Sequence, residues 1–301
     1  MSIMKDSLLK KVIRRLCTKH FFDFLSDRAY IKLFYFAHMG KKLNIDSPQT
    51  FNEKLQWLKL HDRKPIYTTM VDKYAAKKYV AGIIGDEYII PTFGVWDRFD
   101  DIDFDSLPEK FVLKCTHDSG GLVICRDKSK LDLVGAKKKI QKSLKRNYYL
   151  TGREWPYKDV KPRILAEKYI ENMNGLIDYK FYCFDGKPEF LYISQGLEDH
   201  STARISFLTL DWQFAAFQRG DYRPFESLPE KPACFEKMIE IAKMLSNGHT
   251  FLRVDLYEID GHIFFSELTF SPCSGCMEFK PHEWDNRTGD LLKLPEKDIK
   301  K

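Results

Sequence analysis

The residues best placed for chemistry lie on a hairpin that the sequence predicts for residues 250–270. Arg253 and Asp255 alternate with apolar residues on its first strand, and Glu267 and Thr269 lie on its second strand. Because side chains alternate between the two faces of a strand, the length of the turn decides whether these groups meet. A two-residue turn puts Asp255 and Glu267 on opposite faces, whereas a three-residue turn puts all four polar residues on one face.

If these residues share a face, the hairpin offers a site for a divalent metal ion. The carboxylates of Asp255 and Glu267 and the hydroxyl of Thr269 form an oxygen-rich group that suits Mg²⁺, whose charge offsets their repulsion. Arg253 beside them favours the binding of a phosphate. The alternative is a cross-strand salt bridge on a solvated face, and this segment alone leaves both interpretations open.

A second candidate is a lysine at the end of an apolar strand, followed by a glycine-rich loop. The strand is Phe111-Val112-Leu113-Lys114, and the loop is His117-Asp118-Ser119-Gly120-Gly121. Backbone N–H groups in such a loop can approach phosphate oxygens closely, and the lysine adds a positive charge. The alternative is a lysine whose stem covers apolar surface before an ordinary turn. His117 is a catalytic candidate because it lies within this loop.

A third candidate is an apolar strand that ends in charged residues. The strand is Arg163-Ile164-Leu165-Ala166-Glu167-Lys168-Tyr169-Ile170, and Asp178 and Lys180 follow it. Charged residues after an apolar strand most often mark only the end of the strand. They become functional candidates only in combination with the other two segments.

Together and in this order, the three segments resemble the ATP-grasp superfamily. Its pattern is a strand lysine with a flexible glycine loop, a Glu-Lys segment at the adenine, and the motifs R-x-D and E-x-N on a late hairpin. The closer resemblance is to the TupA-like ATP-grasp family, which is associated with teichuronopeptide and cell-surface polysaccharide gene clusters. The likeness spans about Tyr30 to Trp284, and its motifs are Thr50-Phe51-Asn52-Glu53-Lys54-Leu55-Gln56-Trp57-Leu58, Asp178-Tyr179-Lys180-Phe181-Tyr182, Arg253-Val254-Asp255-Leu256-Tyr257, Glu267-Leu268-Thr269-Phe270 and Pro281-His282-Glu283-Trp284.

The resemblance implies that one set of residues holds the phosphates, adenine and ribose of ATP. The phosphates would meet Lys114 and, through a loop that closes over the γ-phosphate, Ser119, Gly120 and Gly121. The adenine would meet a segment that binds partly through its backbone, namely Glu167, Lys168, Tyr169 and Ile170. The ribose would meet Asp178.

The resemblance also implies a second set of residues, which carries out the chemistry. Lys180 and Arg253 would stabilise charge during phosphoryl transfer. The hairpin carboxylates of Asp255 and Glu267 would ligate Mg²⁺. Thr269 stands where the superfamily usually has asparagine, so its role as a metal ligand and the number of ions are open.

Helices and strands must position these residues. The spacing of apolar residues predicts helices within 1–20, 24–60, 66–84, 130–149 and 234–246, and strands at 111–115, 122–125, 163–170, 178–184, 188–195 and 205–210. The resemblance implies an α+β ATP-grasp fold, in which two α+β subdomains enclose ATP behind an N-terminal helical region. The expected boundaries are 1–60 for the helical region with its basic amphipathic start, 61–110 for a segment before the ATP-grasp body, 111–170 for the small lid subdomain and 171–301 for the C-terminal subdomain with the hairpin.

The positive charge of the chain is concentrated at its start. The chain has 301 residues and a formal net charge of +6, and residues 1–20 hold six basic residues against one acidic residue. The remaining residues are nearly neutral, which argues against a nucleic-acid-binding protein. Residues 1–20 predict a basic amphipathic helix, which either contacts an anionic membrane surface or packs on the body with its lysines in solvent.

Several common classes of protein are excluded by motifs that the sequence lacks. It contains no G-x-x-x-x-G-K-[ST], G-x-G-x-x-G, H-E-x-x-H or G-x-S-x-G. No stretch is apolar enough for a transmembrane helix, and the first residues lack the apolar core of a signal peptide. Seven cysteines suit free thiols in a reducing compartment. We therefore expect a cytoplasmic protein, at the inner face of the membrane if residues 1–20 bind it.

One cysteine motif needs its own explanation. Cys273 and Cys276 form a lone C-x-x-C pair, and no second pair completes the four ligands that a zinc site requires. The sequence favours a turn near the substrate at this position.

The activity that the resemblance implies is the ATP-dependent ligation of a carboxylate to an amine. Such enzymes usually activate the carboxylate as an acyl phosphate, which the amine attacks to form an amide. The implied substrates are a uronic-acid-type sugar and an amino acid or amine, for a bacterial capsule, O-antigen or other surface polysaccharide. An amino sugar acylated by an amino acid is the alternative acceptor. The alternative classes are an ATP-dependent sugar phosphotransferase and a glycosyltransferase-associated protein.

Overall fold

Two antiparallel sheets organise the chain, and its helices pack around them. The computed structural model describes residues 8–170, 175–197 and 202–295. The α-helices in these residues are α1 (Leu8–Thr18), α2 (Asp27–Met39), α3 (Phe51–His61), α4 (Ile66–Val71), α5 (Ala75–Ile84), α6 (Leu133–Leu144), α7 (Tyr149–Gly152), α8 (Phe235–Ser246) and α9 (Trp284–Leu291). The strands are β1 (Thr92–Trp96), β2 (Phe111–Cys115), β3 (Leu122–Cys125), β4 (Ile164–Lys168), β5 (Ile177–Phe184), β6 (Lys187–Gln195), β7 (Arg204–Thr209), β8 (Gln218–Arg219), β9 (Phe251–Ile259), β10 (His262–Thr269) and β11 (Phe279–Lys280).

The strands form a small sheet and a large sheet. The small sheet has the order β1-β4-β2-β3, and the large sheet has the order β10-β9-β5-β6-β7. Neighbouring strands are antiparallel in both sheets. Strands β8 and β11 pair separately as a short ribbon. The predicted α+β class with an N-terminal helical region is confirmed.

One face of the large sheet is covered by α4, α5 and α8. The side chains on this face of β5 are Tyr179, Phe181 and Cys183, which are separated by one residue because a strand alternates its faces. Helix α8 presents a matching apolar stripe, Phe235, Met238, Ala242 and Leu245, at spacings of three and four residues. Burial of each such large side chain contributes roughly 1.5–3 kcal/mol.

The opposite face of the large sheet is aromatic at one end of its strands and polar at the other. At one end, Tyr182, Phe190 and Phe207 pack with Phe51 of α3 in an aromatic core. Two residues before Tyr182 on the same face of β5 lies Lys180, which begins the polar end. The packed aromatic end therefore fixes the position of the polar residues beside it.

Helix α3 buries a polar face as well as an apolar one. Asn52, Gln56 and Lys59 are 0%, 0% and 3% exposed. The side-chain amide of Asn52 donates to the carbonyl oxygen of Met277 at 2.8 Å and accepts from its N–H at 2.8 Å. Gln56 Nε2 and Lys59 Nζ donate to the carbonyl oxygen of Ser274 at 3.0 and 2.8 Å. These bonds attach the segment after β10 to α3.

Residues 61–110, predicted as a segment before the ATP-grasp body, contribute to both sheets. Helices α4 and α5 belong to the core of the large sheet. Strand β1, which the apolar pattern did not predict, pairs with β4 at the edge of the small sheet. Residues 61–110 are therefore divided between the two sheets.

Helix α1 packs on the body through a narrow side. Ile13 and Cys17 contact Tyr30 and Phe34 of α2 in a small apolar cluster. The predicted helix at residues 1–20 begins outside the described residues, since residues 1–7 are not among them. Among the described residues, no helix is both long and apolar enough to cross a bilayer.

We expect Asn52→Ala to lower the free energy of unfolding by about 2–3 kcal/mol, because it leaves buried backbone groups of Met277 without partners. Urea unfolding at constant pH measures the change. The control is Asn247→Ala, because Asn247 is exposed at the end of α8 and its loss should cost less than about 0.5 kcal/mol. Equal losses in the two variants would contradict the assignment.

Candidate nucleotide and metal site

The polar residues of the hairpin meet on one face because of a β-bulge. The turn consists of two residues, Asp260 and Gly261, with φ angles of 52° and 79°. By itself this turn would place Asp255 and Glu267 on opposite faces, as the sequence indicated. The pairing shifts by one residue at Ser266, and beyond this bulge Glu267 pairs directly with Asp255. The four polar residues therefore share a face without the three-residue turn.

Arg253 holds the polar group together. Its Nε and Nη2 atoms donate to the two carboxylate oxygens of Asp255 at 2.7 and 2.6 Å. Nη2 also lies 3.0 Å from Glu267 Oε1 and 3.0 Å from Thr269 Oγ1. Bidentate contacts between a guanidinium and a carboxylate are among the strong polar interactions in proteins. They fix the orientation of Asp255, which is fully buried.

Lys180 adds a second cation from the neighbouring strand β5. Its Nζ atom lies 2.7 Å from Asp255 Oδ2 and 3.3 Å from Asp178 Oδ1. Burial lowers the pKa of Lys180, but the two carboxylates raise it well above its ordinary value. Lys180 is therefore a permanent cation in this site.

Glu267 is the carboxylate of this group that reaches open space. Its side chain is 39% exposed, whereas that of Asp255 is 0% exposed. Burial raises the pKa of Glu267, but Arg253 and Lys180 outweigh that effect and hold the pKa at about 2. Glu267 is therefore ionised at neutral pH and free on one side to meet a ligand.

Two lysines meet at Glu167 of the small sheet. Lys114 of β2 forms an ion pair with Glu167 Oε1, and Lys77 Nζ of α5 lies 2.8 Å from Glu167 Oε2. Burial raises the pKa of Glu167, but the two lysines lower it overall. Burial lowers the pKa of Lys114, and Glu167 more than restores it. Burial lowers the pKa of Lys77, and Glu167 restores it only in part. The carboxylate thus favours the charged form of Lys114 most strongly.

The glycine-rich loop after β2 is anchored by a buried side chain and has an exposed tip. Asp118 is buried, its Oδ1 accepts the N–H of Gly121 at 3.3 Å, and its carboxylate accepts the hydroxyl of Ser143. Ser119 and Gly120 are exposed, and Gly120 has a φ angle of 127° that favours glycine. The exposed tip presents the backbone groups that the sequence assigned to phosphate binding.

These elements surround a cavity of about 280 Å³ between the small sheet and the hairpin. Eight residues predicted from the sequence line it: Lys114, Ser119, Gly120, Gly121, Glu167, Asp178, Lys180 and Glu267. Arg253, Asp255 and Thr269 do not line the cavity. Arg253 contacts Glu267 and Asp255 contacts Lys180, and both of these partners line it. The structure thus brings together most of the residues that the sequence singled out.

His117 does not line this cavity. It is 2% exposed, and its Nε2 atom lies 3.1 Å from the carbonyl oxygens of both Ser143 and Arg146. These contacts fasten the loop to the end of α6. The geometry makes His117 an anchor of the loop, and its catalytic role stays a prediction.

Three of the residues predicted to meet adenine also lie outside the cavity lining. Lys168 is exposed, and its backbone N–H donates to the carbonyl oxygen of Pro91 at 2.9 Å. The hydroxyl of Tyr169 accepts from Arg126 Nε at 3.0 Å, and Ile170 is half-buried. Within the predicted adenine segment, Glu167 is the residue that lines the cavity.

Sequence reasoning missed two lysines that line the cavity. Lys73 lies just before α5, and Lys77 lies in its first turn. Lys73 Nζ donates to the carbonyl oxygen of Asp118 in the glycine-rich loop. The spacing of four residues places both lysines on one side of the chain. This signal was available, but in a lysine-rich stretch it is equally typical of a solvated helix face.

The lining of the cavity suits a polyphosphate with a divalent cation. Lys73, Lys77, Lys114 and Lys180 supply positive charge around one small space. Within the described parts of the chain, no three His, Cys, Asp or Glu side chains form a metal site by themselves. Mg²⁺ commonly takes one or two carboxylates and completes its shell with phosphate and water oxygens. Glu267, which lines the cavity and is 39% exposed, fits this requirement, whereas both oxygens of Asp255 are engaged by Arg253 and Lys180.

Comparison with protein families gives one match. A family model described as TupA-like ATP-grasp matches residues 53–293 of the chain. No protein in the curated collection matches.

Solved structures with a similar arrangement are ATP-grasp ligases and related synthetases. The D-alanine–D-alanine ligase from Bacillus anthracis, complexed with ATP, is 18% identical with a TM-score of 0.40, over 67% of this chain and 53% of that chain. The D-alanine–D-alanine ligase from Helicobacter pylori is 15% identical with a TM-score of 0.41, over 75% and 61%. The D-cycloserine synthetase DcsG is 16% identical with a TM-score of 0.39, over 76% and 72%. The chain spans about half the length of the first of these proteins.

We expect Lys77→Ala to weaken the binding of Mg-ATP about 10- to 100-fold, because it removes one cation from the cavity. Isothermal titration calorimetry measures the dissociation constant, and thermal unfolding checks the fold. The matched control is Lys78→Ala, since Lys78 is the next residue of the helix and is exposed. Equal affinities for the two variants would exclude Lys77 from the site.

Proposed function

The chain belongs to the TupA-like ATP-grasp family, and from this premise we propose that it is an ATP-dependent carboxylate–amine ligase. The observation that carries this assignment is the cavity in which four lysines face the Glu267 carboxylate of the hairpin. ATP and Mg²⁺ are its cofactors. The product is an amide, and ATP is converted to ADP and phosphate.

The triphosphate of ATP is assigned to the lysine-lined cavity. Lys114, Lys77 and Lys73 surround the phosphates, and the exposed loop tip at Ser119 and Gly120 closes over them. The backbone of residues 167–170 is assigned to the adenine and Asp178 to the ribose, as the sequence suggested. Asp178 lines the cavity and lies beside Lys180, which supports this placement.

Mg²⁺ is assigned to Asp255, Glu267 and Thr269. When bound, it neutralises negative charge on the phosphates and holds them in a fixed orientation. The protein holds these three residues in place before the ion binds. Arg253 contacts all three of them and keeps their oxygens on one side of the hairpin. Lys180 and Arg253 stabilise the charge that develops during phosphoryl transfer.

The reaction that this site supports has two steps. A carboxylate oxygen attacks the γ-phosphorus, the bond from that phosphorus to the bridging oxygen breaks, and ADP leaves. The amine nitrogen then attacks the carbonyl carbon of the acyl phosphate, the C–O bond to phosphate breaks, and phosphate leaves with the electron pair. The nitrogen loses its proton in this second step. Because amide formation from a carboxylate is unfavourable in water, activation by phosphate is needed.

The substrates are assigned from the family. The carboxylate is a uronic-acid-type sugar and the amine is an amino acid or simple amine, joined during the synthesis of a bacterial surface polysaccharide. An amino sugar acylated by an amino acid is the alternative pair. The lysine-lined cavity alone would also serve a sugar phosphotransferase, which the assay below separates from a ligase.

We infer that helix α1 brings the enzyme to an anionic membrane surface on the cytoplasmic side. Leu8, Leu9 and Val12 are 79%, 59% and 45% exposed, although Ile13 and Cys17 of the same helix are packed on the body. The helix packs on α2, and its exposed apolar residues support the membrane alternative. The neighbouring exposed cations, Lys11 and Arg15, complement negatively charged lipids.

We expect Glu267→Gln to reduce amide formation at least about 100-fold, because it removes a ligand of the metal ion. The assay incubates purified protein with Mg-ATP, D-glucuronate or D-galacturonate and the twenty amino acids, and detects ADP and amide by mass spectrometry. Glu240→Gln, an exposed position on α8, serves as the control. ADP release with sugar but without amine would indicate a phosphotransferase. Full activity in Glu267→Gln would refute the site.

We expect the double variant Leu8→Glu, Leu9→Glu to lose at least about tenfold in binding to phosphatidylserine-containing vesicles, because it places charge on the apolar stripe. Vesicle sedimentation at low and high salt measures the binding. Val134→Glu is the matched control, since Val134 is 81% exposed on α6. Equal binding to phosphatidylcholine vesicles, or no difference between the variants, would refute membrane contact through α1.

A further inference from the structure

A buried carboxylate, Glu154, lies beside the candidate site and has no role in the proposed handling of ATP. Glu154 is 6% exposed and follows Arg153, whose left-handed backbone (φ of 54°) ends α7. It is not among the residues that line the lysine-rich cavity. Burying a carboxylate without balancing its charge costs free energy. The groups around Glu154 therefore indicate its role.

The loop that follows β10 approaches Glu154 in an unusual backbone conformation. Cys273, Ser274 and Gly275 have φ angles of 51°, 51° and 67°, so three successive residues are left-handed. This conformation is unfavourable for residues other than glycine, and it persists only where surrounding contacts enforce it. The enforcing contacts are the bonds from Gln56 and Lys59 to the carbonyl oxygen of Ser274.

Glu154, Ser274 and Lys59 meet at Gly152. Lys59 Nζ lies 2.8 Å from the carbonyl oxygen of Gly152 and 3.1 Å from Ser274 Oγ. A Cβ atom on Gly152 would lie 2.0 Å from Ser274 Oγ and 3.6 Å from Glu154 Oε1. The hydrogen bonds of Lys59 are therefore made to Gly152 and Ser274, and the Glu154 carboxylate lies beside these groups.

Glu154 shares its electrostatic surroundings with the hairpin. Burial raises the pKa of Glu154, and the positive charge of Lys59, the hydroxyl of Ser274 and the positive charge of Arg253 lower it. The negative charge of Glu267 raises it further. The packing agrees with this, because Trp155, the next residue, packs against the apolar cluster that contains Leu268 of β10, and Ser274 of the loop after β10 lies beside Gly152. These contacts place Glu154 near the end of the hairpin that carries Glu267.

Two tyrosines lie near Glu154. The rings of Tyr148 and Tyr157 are 4.8 Å apart in an edge-to-face arrangement, and both side chains are only half-buried. Burial raises the pKa of both phenols, and Glu154 and Glu267 raise it further. Two rings next to a carboxylate form a surface that suits the apolar body of a small molecule with a neutral amino group.

We propose that Glu154, Tyr148 and Tyr157 form the binding site for the amine nucleophile. This inference rests on the proposed ligase function and specifies the site of its second substrate. The Glu154 carboxylate accepts hydrogen bonds from the amine nitrogen and holds it near the hairpin. When the nitrogen attacks the acyl phosphate, the C–N bond forms, the C–O bond to phosphate breaks, phosphate leaves with the electron pair, and the proton passes from nitrogen to Glu154.

Amine binding without turnover is the first test. Saturation-transfer NMR is recorded for protein with Mg²⁺, a non-hydrolysable ATP analogue, the twenty amino acids and ethanolamine. We expect one or more of these amines to give a signal with the wild-type protein, and this signal to fall at least fivefold in Glu154→Gln while the adenine signal stays. Tyr148→Ala, on a half-buried side chain, should reduce the same signal. An unchanged signal in Glu154→Gln, or no amine signal with the wild type, overturns the proposal.

A trapping experiment separates amine recognition from activation of the carboxylate. Hydroxylamine is a strong nucleophile that captures acyl phosphates without a dedicated binding site. With Mg-ATP and D-glucuronate or D-galacturonate, Glu154→Gln should form hydroxamate at the wild-type rate but lose amide formation at least 100-fold. Parallel loss of both products would show a structural role and overturn the proposal. Absence of hydroxamate in the wild type would refute the ligase function itself, and the NMR experiment would still decide on amine binding.

The matched control for both experiments is Glu53→Gln. Glu53 is also a buried carboxylate, 8% exposed, and its oxygens accept the backbone N–H groups of Asn44, Gln49 and Thr50. We expect Glu53→Gln to lower the melting temperature without changing the ratio of amide to hydroxamate. A ratio that falls equally in both variants would overturn the specific role of Glu154.

Discussion

The buried guanidinium of Arg253 is the interaction on which the candidate site depends. It contacts Asp255, Glu267 and Thr269 at once, and Lys180 balances the remaining charge on Asp255. Removing one partner from such a group leaves a buried charge uncompensated, which typically costs about 3–5 kcal/mol. A substitution of Asp255 is therefore expected to impair folding as well as activity. Glu267, whose side chain is 39% exposed, can be changed with less effect on folding.

The rest of the fold supplies a rigid frame for this group. The same face of the large sheet passes from an aromatic core at Tyr182 and Phe190 to the charged cluster at Lys180, so the packed rings fix the spacing of the charged strands. Helix α3 extends this support beyond the sheet, because its buried Asn52 and Gln56 hold the segment after β10. A site on packed elements keeps its geometry better than one on free loops.

The sequence predicted the composition of the site better than its geometry. The motifs around Lys114, Lys180 and Glu267 identified the family and about half of the cavity lining, because the chemistry of phosphate binding restricts residue types strongly. The bulge at Ser266 was not predictable, since no local residue pattern marks the extra residue that brings Glu267 opposite Asp255. Lys73 and Lys77 were missed because a lysine that lines a cavity and a solvated one look alike in a sequence. The contacts of His117 were not predictable, because Ser143 comes from α6, whose approach depends on tertiary packing.

The bonds from α3 to the segment after β10 also determine when the site can form during folding. Asn52 and Met277 are 225 residues apart in the chain, yet each satisfies the buried polar groups of the other. Contacts of such long sequence separation form late, because closing a large loop costs entropy before any contact repays it. On the ribosome, α3 therefore emerges long before its partners, and the polar side chains that it later buries have no partner from this segment until the end of synthesis. The order of synthesis thus makes assembly of the loop near Glu154 one of the last events of folding.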